Sequence, residues 1–167
     1  MKKTIRFRLP LLLLCTALFL SACSGPKTTP QNVIAAICEA ENGLPAGRLY
    51  VLSAPTDDKK HPSESWLGAM FGNGKVPSAF DLVEDAAFFT SYTEPCEFAA
   101  FLCKTKDATQ AVSEVCLHRL HSLKLYREGE KDSAPLQNAG VTVRGKWVIL
   151  YVCKDPQGVL RAIRRTL

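Results

Sequence analysis

Four groups of side chains in this 167-residue chain have types and spacings that could do chemistry. His118 and His121 stand three residues apart with Cys116 close by, a donor set that could hold a transition metal. Glu84, Asp85, Glu94 and Glu97 could supply a carboxylate pair for general acid/base work. Ser63 and Ser65 follow His61 closely, which invites comparison with a hydroxyl nucleophile and its base. Finally, Cys38, Cys96, Cys103, Cys116 and Cys153 are thiols scattered from position 38 to position 153 of the chain.

The local sequence argues for a plainer role in each case. At about 100° per residue the two histidines fall on the helix face opposite Val112 and Leu123, while Cys116 points toward the core. That predicts two exposed histidines and no metal. The four acids bracket strand ends, where carboxylates are usually solvated, and Ser63 sits where a helix needs a cap. There is no Gly-x-Ser-x-Gly elbow and no phosphate-binding glycine loop; Gly68, Gly72 and Gly74 read as helix punctuation. No Cys-x-x-Cys pair occurs, and most of the thiols have apolar neighbours. Two readings of them stay open, reduced core thiols or one or two bridges. No catalytic set, metal or cofactor is predicted.

The elements that would position these groups follow from periodicity and turn chemistry. Apolar residues at 33, 34, 37 and 38 share one face of a helix over 31–42, with Gly43 as its stop. Residues 48–53 fit either a short strand or a docked extended segment, and 54–62 is polar loop. Ser63 caps a second helix over 64–71 that closes at Gly72. Residues 86–92 and 97–103 read as adjacent strands, and Asp107 with Gln110 resembles a capping box opening a long helix to about Leu125. Two further strands turn at Gly145-Lys146, and Asp155-Pro156 starts a helix rich in arginine at its end. The expected class is α+β. Specifically, a two-layer sandwich is predicted, with an antiparallel sheet of about four strands (hairpins 86–103 and 139–153) covered by a long helix 107–125 and a C-terminal helix 155–165.

The first residues carry a different kind of information. Lys2, Lys3, Arg6 and Arg8 form a basic start, and an apolar stretch from Leu9 to Leu20 follows, too short to span a membrane as an ordinary helix. It ends in Leu20-Ser21-Ala22-Cys23, which resembles the lipobox of bacterial lipoproteins. That resemblance implies a signal peptide over 1–22, lipidation of Cys23, a tether over 23–30 and one extracytoplasmic domain over 31–167, held at the cell membrane by the lipid. Removing the leader takes away four of the 21 lysines and arginines and leaves 17 against 16 acids. The near-neutral remainder gives no electrostatic case for nucleic acid as a partner.

With the lipobox go Val83-Glu84-Asp85, Glu97-Phe98-Ala99-Ala100-Phe101, Lys106-Asp107-Ala108, and Val143-Arg144-Gly145-Lys146-Trp147-Val148. By these residues the chain from Phe80 to Leu167 resembles the bacterial lipoprotein family called domain of unknown function 4358. The family has no established catalytic residues. Nothing catalytic therefore carries over from it, and the anchor, the near-neutral mature charge and the lack of a catalytic set point to a non-catalytic binding or accessory domain at the cell envelope, for which the resemblance implies an association with polysaccharide O-acylation; an envelope hydrolase or thiol enzyme is the alternative. Trp66, Met70 and Phe71 are large side chains outside the simplest core pattern; core packing is their plainer role, and if the 64–71 helix is partly exposed they are candidates for an apolar patch meeting an envelope protein or glycan.

Overall fold

A computed structural model of the protein describes residues 28–41, 44–126 and 134–167. The leader 1–22, Cys23, the tether through Lys27 and the proposed stop at Gly43 lie outside the described residues.

Helix α1 (Pro30–Ala40) is capped by Thr29, whose hydroxyl accepts the Asn32 N–H, and it buries Val33, Ile34 and Ile37. The domain therefore begins before Gln31: Thr29 and Pro30 belong to the helix, and the Thr28 hydroxyl donates to the Thr166 carbonyl. Strand β1 (Gly47–Val51) and helix α2 (Glu64–Phe71) follow, then a 3-10 turn (Ser78–Leu82). Strands β2 (Val83–Ser91) and β3 (Glu97–Cys103) lead to the long helix α3 (Ala108–Tyr126). The short helix α4 (Ala134–Gln137), strands β4 (Gly140–Arg144) and β5 (Trp147–Val152), and helix α5 (Pro156–Thr166) complete the chain.

The α+β class holds, with five strands in the order β1-β2-β3-β5-β4, every pair antiparallel. Residues 48–51 are thus a true edge strand. The two-layer expectation needs correcting, because helices cover both faces. On one side α2 and α3 enclose Phe71, Val112, Cys116 and Leu120 against Phe88, Phe101 and Leu150. On the other, α1 and α5 enclose Val33, Ile37, Val159 and Ile163 against Phe98, Ala100 and Ile149. Successive residues of β3 and β5 point to opposite cores, which is why these strands show no polar alternation.

Register explains how the first core fills. Phe88 lies opposite Ala99 and Phe101 opposite Ala86, so each large ring sits across from a methyl, and the two rings meet edge to face at 5.4 Å between centroids. The start of α3 differs from the sequence expectation: the Thr105 hydroxyl, not Asp107, accepts the first helical N–H, that of Ala108. Among the described residues no helix is long and apolar enough to cross a membrane.

Candidate functional site

A cleft of about 680 Å³ opens where the polar loop, α2 and the 3-10 turn meet. Each wall has a local cause. The 54–62 loop is wound by its own bonds, Asp58 N–H to Pro55 O and His61 N–H to Asp58 O, and it is pinned to β1 by the Val51 N–H donating to Lys60 O. Ser53 fastens the near end: its N–H and hydroxyl both donate to the Asp85 carboxylate at 3.1 Å, beside the irregularity in β2 between Val83 and Asp85.

The second wall is α2 with the turn that follows it. Ser63 caps the helix as expected, its hydroxyl accepting the Trp66 N–H at 3.2 Å. The chain then doubles back through Asn73 (φ 52°) and Gly74 (φ 94°), and the Gly74 N–H donates to Gly68 O at 2.9 Å. Gly68 is therefore more than punctuation. A β-carbon there would lie 2.8–2.9 Å from the Gly74 carbonyl group and the Lys75 nitrogen, and one at Gly72 would collide with the Lys75 carbonyl oxygen. Both glycines are needed for the close approach of this return segment to α2.

The 3-10 turn makes the third wall. Phe80 packs its ring against Phe71 and Phe101 at 5.6 Å from each, and Lys104 holds the turn to the end of β3 by donating to the Asp81 and Leu82 carbonyls. The base is apolar, with Leu52, Leu67 and Phe80, while His61, Glu64, Ser65, Lys75 and Asp81 line the rim. His61 Nδ1 lies 2.9 Å from the Ala54 carbonyl, which can only accept, so Nδ1 carries the proton and Nε2 is the acceptor of the neutral ring. Ser63 and Ser65 share a hydroxyl–hydroxyl bond of 3.0 Å. Volume and lining suit a small polar ligand or a chain segment bearing hydroxyls.

His61 and Ser65 are the sequence candidates that the fold brings together. Each of the four acids has a partner of its own, and two of them, Glu94 and Glu97, line a small cavity of about 70 Å³ together with Arg119. Glu97 is held by Arg119, Asp85 by Ser53, Glu94 pairs with Lys154 at 2.7 Å, and Glu84 faces Lys146 at 3.8 Å. The hydrogen bond to Glu94 raises the Lys154 pKa above its ordinary value. His118 and His121 are exposed on α3 and Cys116 is buried, as their helical positions predict. Among the described residues no three metal-binding side chains converge.

The apolar-patch candidates pack against the first core to different depths. Phe71 is 3% exposed and belongs to the core; Trp66 and Met70 are half-buried against the same cluster. Trp66 lies between Tyr50, at 4.4 Å between ring centroids, and Phe88, at 5.5 Å. Packing against Tyr50 and Phe88 covers much of the Trp66 ring, while Trp66 and Met70 keep part of their surface exposed. Leu52, Lys75, Phe80 and Asp81 were not anticipated at a site. The Gly72-Asn73-Gly74 run is the signal that could have indicated the turn bringing them together.

The five described cysteines are unbridged in this structure. Burial pushes Cys38 up to about 11, with Glu39 adding to it, and pushes Cys116 up further, with Glu97 and Cys103 adding. Comparison of the chain with protein-family models, with curated proteins and with solved structures gives no match.

Proposed function

We propose that the protein is a membrane-anchored extracytoplasmic binding module, lipidated at Cys23, whose cleft holds a segment of an envelope glycan as an accessory to its modification, O-acylation being the class the family resemblance suggests. The observation that carries the binding reading is the cleft itself, an apolar base ringed by hydroxyl, carboxylate, imidazole and ammonium groups. Such a surface can stack a sugar ring on Phe80 while Ser65, Glu64 and Asp81 exchange hydrogen bonds with its hydroxyls. The anchor reading rests on the basic start, the apolar stretch and the Leu20-Ser21-Ala22-Cys23 box.

The test is co-sedimentation of the protein with isolated envelope polysaccharide, comparing wild type with the paired variant Glu64→Gln, Asp81→Asn. We expect the wild type to sediment and the variant to lose at least tenfold in binding. Equal sedimentation of the two, or none by either, would remove the glycan from the cleft. Crosslinking in native cells then asks whether a membrane acyltransferase is the neighbour instead.

A second reading, an envelope hydrolase, is favoured by one observation: the acceptor nitrogen of His61 and the Ser65 hydroxyl belong to side chains of the same cleft. Turnover of acetylated glycan by wild type and not by Ser65→Ala, with binding retained, would establish it.

A further inference from the structure

Two of the thiols face each other at the end of the β3/β5 ladder. Glu97 pairs with Val152, so the next position outward sets Cys96 against Cys153. The far end of the ladder gives the phase. The Cys103 N–H donates to Lys146 O at 2.8 Å, which makes that pair, and every second pair down to Glu97/Val152, hydrogen-bonded. Cys96 and Cys153 therefore occupy a non-hydrogen-bonded position. In agreement, the Cys96 carbonyl is turned the other way, toward β2, where it accepts the Ser91 N–H at 3.0 Å. At such positions Cα atoms approach to about 4.5 Å and side chains come closest. That separation lies within the span of about 4.4–6.8 Å that a disulfide requires.

Both side chains also point to the same side. Cys96 and Cys153 belong to the core beneath α1 and α5, at 7% and 1% exposure, and together they line a small gap beside Glu41. Cys38 on α1 borders this core, whereas Cys103 and Cys116 belong to the opposite one. Burial pushes the Cys96 thiol up to about 12, with Glu41, Cys38, Cys153 and Glu94 adding, and pushes Cys153 to about 12, with Glu41 and Asp155 adding. Once folded, these thiols are poor nucleophiles, so a bond between them must form while the chain is still open.

We propose that Cys96 and Cys153 form a structural disulfide that joins the ends of β3 and β5 during folding outside the cytoplasm. One thiolate attacks a sulfur of an external disulfide, oxidised glutathione or that of an envelope oxidoreductase, and releases the first thiol. The second cysteine's thiolate then displaces the other half from the mixed disulfide. The two cysteine thiols lose two protons and two electrons, and the external disulfide takes them up to become two thiols. The pairing rests on strand register alone; only the supply of oxidant rests on the extracytoplasmic reading.

The full chain, reduced and denatured, is refolded in a buffer of oxidised and reduced glutathione, its free thiols are blocked, and it is cut with trypsin and a glutamate-specific protease. The second protease separates Cys96 from Cys103, which trypsin leaves on one peptide. The expected product is Asp85–Glu97 linked to Trp147–Lys154, lost on reduction, since the Glu94–Pro95 bond resists the protease. Five blocked thiols besides Cys15 and Cys23, or a link through Cys38, Cys103 or Cys116 instead, would overturn the pairing. In support, reductant lowers the melting temperature of the refolded wild type by roughly 10 °C and leaves Cys153→Ser unmoved. If the link forms in glutathione but is absent from protein taken from native cells, the pairing stands and the extracytoplasmic reading fails.

Discussion

Arg119 grips both carboxylate oxygens of Glu97, Nε to Oε1 at 3.0 Å and the terminal nitrogen to Oε2 at 2.7 Å, across the gap between α3 and the start of β3. The side chains are 16% and 8% exposed, so this is a charge pair largely withdrawn from water. Its two-pronged geometry offsets part of the desolvation cost of both ions. Removing one partner leaves the other charged and unsatisfied. Arg119→Ala should lose about 3–5 kcal/mol in urea unfolding, whereas Arg119→Met with Glu97→Leu should come back to near wild type. A single-variant loss below about 0.5 kcal/mol would show that water reaches the pair freely.

Gly68→Ala tests the return segment over α2. The added methyl meets backbone at Gly74 and Lys75, which cannot move aside as a flexible side chain would. We expect a loss of about 1–3 kcal/mol, despite alanine's better helix propensity, together with faster amide exchange in residues 72–77. Stabilisation by the variant would mean that the turn is not packed as described.

Glu41 is 6% exposed and sits just past α1, where its carboxylate accepts the Lys154 N–H at 2.8 Å and the Asp155 N–H at 3.3 Å. It thereby ties the end of α1 to the entry of α5. Glu41→Ala leaves these backbone donors without that acceptor and should cost about 2 kcal/mol. Amide exchange should rise first at Lys154 and Asp155, ahead of the sheet.

The raised thiols set an alkaline limit for the reduced protein. Cys38, near 11, and Cys153, near 12, sit above the value of about 9 of an exposed thiol, chiefly through burial. The unfolded chain therefore ionises first. The contribution to stability is whole below pH 9 and falls as pH rises through 9 toward 12. Denaturant midpoints of the reduced protein between pH 8 and 11 measure this, and a Cys38→Ala variant should show a shallower fall.

Cys23→Ser tests the anchor independently of the domain. If the box is used, the wild type partitions with membranes at the mass of the lipidated, shortened chain. The variant keeps its leader and carries no lipid. Identical masses and partitioning for the two would discard lipidation at this residue.

Local chemistry was legible in the residues themselves. The Ser63 cap, the Asp155 cap with Pro156 behind it, and the turn with Gly145 at φ 59° each depend on groups within a few positions of one another. Both hairpins follow for the same reason, since the strands they join are neighbours in sequence. The continuous apolar character of β3 and β5 already implied cover on two faces. That implication needs a second helical layer, and α1 and α5, which supply it, lie at opposite ends of the chain.

Everything that depends on long-range packing had to come from the fold. A half-apolar helix such as α2 states that one side is buried, not which residues of the sheet will meet it, so Trp66, Met70 and Phe71 became packing residues once β1 and β2 lay beneath them. Glu97 found Arg119, and Cys96 came opposite Cys153, through pairings across 22 and 57 positions that no local pattern encodes. The cleft formed because a loop, a helix end and a turn converge. Sequence by itself determined the class of the fold and most of the helix and turn ends, because those depend on neighbours. Tertiary structure alone decided which side chains share a core, an ion pair or a site, because burial is a property of the whole assembled chain.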